Sequence, residues 1–293
     1  MSIFTHPIYK IMSKSLSPQK LNSCIVINSL VYFLIAYYFV IISFNLFSMI
    51  LAKSIGFEVE LFYYGFTHAG QEWTRVDTIL VFFLGNAFTL VLAMIFERLY
   101  RKQRRYAKGI KMLFLWIYLI AIIWFLGNII VGAFFNFGIG AAIRAYRIPF
   151  FLRLLFAMAS VFALFYLGRN AQKHVTVSAN LYFPKLLGRD TGSYFIHIIA
   201  LPILLGLLVI VLLKLPNIAR YQYMDLYILF TVVFFLAGLF FRYQSYGSLT
   251  FKTHGPDKYK IKKSNCNISY IPLVILILIL AAVRIGLMNG VPI

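Results

Sequence analysis

The sequence predicts an all-α fold: a polytopic transmembrane helical bundle of about seven spans joined by short, hairpin-like loops. Three observations carry that expectation. Of 293 residues, 62% are hydrophobic and only 12% charged, with a mean hydropathy of +0.85, against an apolar usage of about 45–50% in soluble domains. Seven apolar runs approach or exceed the ~20 residues that a helix needs to cross a hydrocarbon core of about 30 Å. The cations lie between these runs, dense in every second connection and sparse in the others. No strand alternation with aromatic girdles recurs along the chain, which argues against an outer-membrane barrel.

Residues 1–23 carry Lys10, Lys14 and Lys20 and lack the apolar core and small-residue cleavage site of a removable leader. They read as a cytoplasmic tail, and residues 24–293 as one transmembrane domain. Spans are expected at about 24–51, 78–96, 112–135, 149–167, 194–213, 224–241 and 270–287. The first is long enough to tilt strongly or break. With the N-terminus inside, the inside connections hold 20 Lys and Arg and the outside ones six, with Arg153 and Arg284 left within spans. One span more or fewer would destroy that alternation, so the count predicts both seven crossings and an N-in, C-out orientation. The densest connection, Arg98 to Lys111, reads first as a topology-fixing hairpin and second as a patch for anionic lipid headgroups. The outside stretch "FEVELFYYGF" alternates and is expected to form an interfacial hairpin. The inside stretch containing "SLTFKT" is expected to form a small one on the cytoplasmic surface.

Several function classes lose their footing on composition and motif. A net charge of +20 suits a nucleic-acid partner, but such a reader needs a soluble basic face, and here lipid topology accounts for the charge. Cys24 and Cys266 lie far apart and outside any C-x-x-C spacing, so they read as small apolar fillers rather than as a zinc site or a disulfide. No phosphate-binding loop, dinucleotide fingerprint or nucleophile elbow occurs in a suitable context, and no cofactor is expected.

The candidate functional residues are those the membrane makes expensive. Phe83-Leu84-Gly85-Asn86 in the second span recurs as Phe125-Leu126-Gly127-Asn128 in the third. Counted from the outer helix ends, Asn86, Asn128 and Asn45 share a depth, so the three amides are expected to form a polar cluster, either packing glue or a cavity. Arg153, Asp225 and Arg284 form a candidate charge network on the outer side, with Arg153, Arg220 or Arg284 as partner for Asp225. His68 and Glu72 stand at i and i+4, and with His197 they are weak candidates for a metal; two such residues make at most half a site.

The stretch "FNLFSMILAKSIG", leading into "FEVELFYY", resembles the first motif helix of the site-2 protease family of intramembrane zinc metalloproteases. In that family the helix carries H-E-x-x-H, runs through small apolar residues and a basic one to a glycine, and enters an extended segment. On that pattern Phe44 and Asn45 take the His-Glu positions, Ser48 the second His and Gly56 the glycine. "LGNAFTLVLAMI" is similar to the family's Gly-Pro-x-x-Asn helix, with Gly85 kept, Asn86 in place of the proline and Thr89 in place of the asparagine. The resemblance covers roughly residues 30–170 and implies a relative without its catalytic residues, since no imidazole or general base stands at the motif positions. The expectation is therefore a non-enzymatic scaffold or binding component, partnered by membrane lipid at the basic loops and by another membrane protein. A transporter or channel using the asparagine level is the alternative, and a divergent metalloenzyme the third.

Overall fold

A computed structural model describes residues 18–63, 65–68, 74–136, 138–214, 222–241, 249–251 and 266–292. The tail up to residue 17, Glu72, Arg220 and most of the connection around "SLTFKT" lie outside the described residues.

Helix α1 runs from Pro18 to Ser54. Proline stands at its first position, where the missing N–H costs nothing, and no glycine interrupts the helix's 37 residues. It ends at Gly56, whose φ of +89° turns the chain into the extended β1 (Val59–Phe62). β1 pairs antiparallel with β2 (Gly65–His68), the expected hairpin. Helix α2 (Arg75–Gln103) opens on a capping box: the Asp77 amide donates to Thr74 Oγ1 and the Thr74 amide to Asp77 Oδ2, at 3.2 and 3.0 Å. Helix α3 (Ile110–Phe134) and the short α4 (Ile139–Ala145) follow. Helix α5 (Phe150–Leu181) starts directly after Pro149, and then β3 (Lys185–Leu186). Helix α6 (Thr191–Lys214) contains a π turn at Ile196–Ala200, just ahead of Pro202, whose ring and missing N–H disturb the preceding turn. Helix α7 (Asp225–Phe240), β4 (Leu249–Thr250), α8 (Tyr270–Gly286) and β5 (Val291–Pro292) complete the order.

Five of these helices, α1, α2, α3, α5 and α6, are long and apolar enough to cross a membrane; α7 and α8 are shorter apolar helices. The central positions go to α1 and α3, whose most apolar windows are 78% and 67% buried, against 17% for α5 at the periphery. Peripheral faces are covered with apolar side chains, among them Phe151, Phe162 and Ile271 at 73, 67 and 76% exposure. Such faces suit lipid and would cost free energy in water.

Two ends can be told apart. At one, Cys24 near the start of α1 is disulfide-bonded to Cys266 before α8, Asn28 bonds the backbone of Asn267 and Ser269 at 2.9 Å each, and β3 pairs with β4. Here also lie residues 104–109, since the Asn180 side chain donates to the Arg104 carbonyl. This is the cation-rich end. At the other, β1 pairs with β5 beside the β1–β2 hairpin.

Several expectations need correction. The cysteines are not fillers: they form a disulfide that ties α1 to α8, a pairing no spacing rule announces because 242 residues separate them. Of the stretch containing "SLTFKT", only residues 249–251 and 266–269 are described; there β4 pairs with β3, and the expected hairpin otherwise lies outside the described residues. Helices outrun the apolar runs. α1 begins six residues before the expected span, so residues 18–23 are helical rather than tail. α2 continues seven residues past Phe96 and α5 fourteen past Leu167. Hydropathy falls where lipid ends, but the helix continues while its polar residues find partners. Gln172 donates to the carbonyls of Leu239 and Phe241 at 2.8 and 2.7 Å, closing the C-terminal end of α7.

Candidate functional site

Of the motif-like positions on α1, Phe44 and Ser48 meet α2 at Gly85. Gly85 lets the two helices approach: a Cβ there would stand 2.2 Å from Ser48 Oγ and 3.4 Å from the Phe44 ring. Phe44 packs edge-on against Trp124 with centroids 5.9 Å apart. Ser48 is fully buried, and its hydroxyl has no hydrogen-bond partner among the described residues. Thr89 Oγ1 donates to the Asn86 carbonyl one turn back. A phenyl ring, a hydroxyl and an amide cannot replace two imidazoles and a carboxylate, so the donor set at Phe44, Asn45 and Ser48 does not fit zinc.

The three asparagines go to different partners. Asn86 Nδ2 donates to the Phe125 carbonyl of α3 at 3.1 Å, and Asn86 Oδ1 is buried without a partner among the described residues. Asn128 Nδ2 donates back to the Trp124 carbonyl of its own helix at 3.0 Å. Asn45 lines a small, partly open cavity toward the hairpin end. Asn86 and Asn128 therefore meet the same stretch of α3, while no hydrogen bond among the described residues joins one amide to another. The glycine beside each amide serves a different contact: Gly85 meets α1, and Gly127 meets Ile228 and Thr231 of α7.

The cavity, about 30 Å³ in volume, is walled by Tyr37, Tyr38 and Asn45 of α1, Lys214 of α6, Asp225 of α7 and Arg284 of α8. It has room for about one or two waters or a small ion, a water needing about 10–15 Å³. Lys214 Nζ lies 2.6 Å from Asp225 Oδ2, and both side chains are nearly buried, at 11 and 12% exposure. The Arg284 guanidinium stands 4.6 Å over the Tyr63 ring, within cation–π range. The structure thus brings Asp225 and Arg284 to one cavity but gives Asp225 a different partner, Lys214. Arg153 lies elsewhere, over the Phe150 ring at 5.3 Å, in a shallow cavity it shares with Arg144 and Arg147.

The two described metal candidates belong to different elements. His68 belongs to β2 at the hairpin end. His197 is half-buried on α6, bonding Ser193 within its own helix; its neighbour Ile198 accepts from Ser29 in the first third of α1. Among the described residues no three His, Cys, Asp or Glu side chains form a group that could hold a metal.

Sequence reasoning missed Lys111, counted as one loop cation among seven. It is fully buried at the start of α3 and donates to Asn180 Oδ1 and, at 3.1 Å, to the Tyr106 carbonyl. Nearby, burial raises the Tyr182 phenol above its ordinary range, with Tyr32 adding to the effect. Comparison with protein-family models, curated proteins and solved structures finds no match.

Proposed function

We propose that the chain is a non-enzymatic membrane protein, a degenerate relative of the site-2 protease family that binds or scaffolds another membrane component. The proposed setting is a bacterial cytoplasmic membrane, crossed seven times with the N-terminus inside. One observation carries the non-enzymatic reading: the positions matching the zinc-binding motif are filled by packing, Phe44 against Trp124 and Ser48 against Gly85. Kinship is supported by the contact between the two motif-like stretches and by the turn at Gly56 into β1. An odd number of crossings is supported by the ends of the chain, because the start of α1 is tied to residue 266 at one end while β5 joins β1 at the other.

Photocrosslinking in native membranes tests the binding role. A photoreactive residue at Phe151, on the exposed face of α5, is expected to give one reproducible protein adduct. Adducts with lipid and self alone would contradict that role, and stoichiometric zinc in the purified protein would contradict the non-enzymatic reading.

This small cavity favours a second reading, a transporter or channel for a small ion, because it joins Asn45 to the nearly buried Lys214–Asp225 pair and Arg284. Proteoliposomes test it directly. A flux of protons, Na⁺ or K⁺ above that of protein-free vesicles, abolished by Asn45→Leu, would support this reading; flux equal to empty vesicles would retire it.

A further inference from the structure

A cleft between α2, α3 and α5 opens toward the cation-rich end, with a volume of about 460 Å³, inside the ~300–1,000 Å³ range of small-molecule sites. Its mouth and its floor differ in chemistry. At the mouth stand Glu97 and Arg101 of α2, Arg104 just beyond it, and Lys173 and His174 of α5. The floor is Leu90, Ala93 and Met94 of α2, Ile122 of α3 and Leu167 of α5.

The helices hold these groups at matched levels. The Tyr100 hydroxyl donates to the His174 carbonyl at 2.5 Å, which places Lys173 and His174 beside the last turn of α2. Leu90 lies seven residues before Glu97 on the same helix face, so floor and mouth are separated by about 10 Å. That is the offset between the first methylenes of a lipid and its headgroup. The neighbouring surface is lipid-compatible, with Val91 and Ile95 of α2 and Phe162 of α5 between 44 and 67% exposed.

Charge selects the ligand. Arg101 is paired with Glu97 at 2.6 Å, whereas neither Arg104 nor Lys173 has an ion-pair partner among the described residues. His174 Nδ1 is buried without a hydrogen-bond partner among the described residues. Two cations over an apolar floor match a phosphodiester on an acyl glycerol better than a soluble anion, which would gain nothing from Leu90, Met94 and Leu167.

We propose that this cleft binds one anionic glycerophospholipid, with Arg104 and Lys173 holding the phosphate and the acyl chains lying along Leu90, Met94 and Leu167. The site requires only that α2, α3 and α5 lie in a bilayer, and it stands whether or not the chain scaffolds a partner.

Native mass spectrometry of the full-length protein in non-ionic detergent tests it, titrating phosphatidylglycerol against phosphatidylcholine of the same acyl chains. Phosphatidylglycerol is expected to bind at least tenfold more tightly, given the typical gain per basic residue at an anionic surface. The double variant R104Q/K173Q is expected to abolish that preference. The pair K102Q/R105Q removes the same charge from exposed neighbours outside the cleft and is expected to change it less than about twofold. Leu167→Trp, which fills the floor and leaves both cations, is expected to weaken phosphatidylglycerol about tenfold. Equal affinity for the two lipids, an equal loss in K102Q/R105Q, or full displacement of phosphatidylglycerol by millimolar inorganic phosphate would each overturn the proposal.

Discussion

Lys111 is the one Lys or Arg that is fully buried among the described residues, its amine held by the Asn180 amide oxygen and the Tyr106 carbonyl. A buried charge is tolerated only when its donors are satisfied. Asn180→Leu removes one acceptor and also the donor to the Arg104 carbonyl, and is expected to lower stability by about 3 kcal/mol. Adding Lys111→Met removes the polar group left without its acceptor, so thermal unfolding of the double variant in detergent should recover more than half of that loss. The same logic applies to the Lys214–Asp225 pair. Asp225→Leu leaves an ammonium unpaired at 11% exposure and is expected to cost about 3 kcal/mol, with Lys214→Met restoring most of it. Neither role was legible in the sequence. Lys111 sits in a run of loop cations, and depth inside a bundle depends on which helix face turns inward. Arginines near the outer surface are countable as partners for Asp225, whereas the approach of the end of α6 to Asp225 is not.

Helix-to-helix seams depend on backbone approach. Gly168 and Gly238 form one between α5 and α7: a Cβ at Gly168 would stand 2.0 Å from the Phe235 carbonyl oxygen, and one at Gly238 would stand 1.9 Å from that of Phe165. Because backbone cannot yield as a side chain does, Gly238→Ala is expected to cost about 3 kcal/mol, read as a lower thermal midpoint with Gln172 losing its carbonyl partners. The disulfide acts on a different element, holding residue 266 and the entry to α8 against the start of α1. Cys24→Ser is expected to lower stability by about 2–4 kcal/mol and to raise the proteolytic susceptibility of the α7–α8 connection. At this scale the sequence was informative about apolar runs, because lipid selects every residue of a span, and about the β1–β2 hairpin, because alternation and the glycines at 56 and 65 mark it. Helix ends were less legible: α5 passes Leu167 on Gln172, Thr176 and Ser178, whose partners lie within the bundle and leave no hydropathic trace.

For the whole molecule, the start of α1, residues 104–109 and Cys266 lie at one end and the β1–β2–β5 sheet at the other. The charge asymmetry proposes that the first end faces the cytoplasm. In that orientation the Cys24–Cys266 bond lies in a reducing compartment, where its state follows the thiol poise of the cell. The motif resemblance was legible as a frame of helix, glycine and strand, but its meaning depends on which side chains fill the frame, and the contact of Gly85 with Ser48 emerges only when α1 and α2 are packed together. The most direct measurement is labelling of single introduced cysteines by a membrane-impermeant maleimide in intact cells, in a Cys24→Ser/Cys266→Ser background. Lys108→Cys should be shielded and Asn289→Cys labelled; labelling at position 108 from outside, or equal labelling at both positions, would contradict a bundle that crosses lipid an odd number of times with its cations inside.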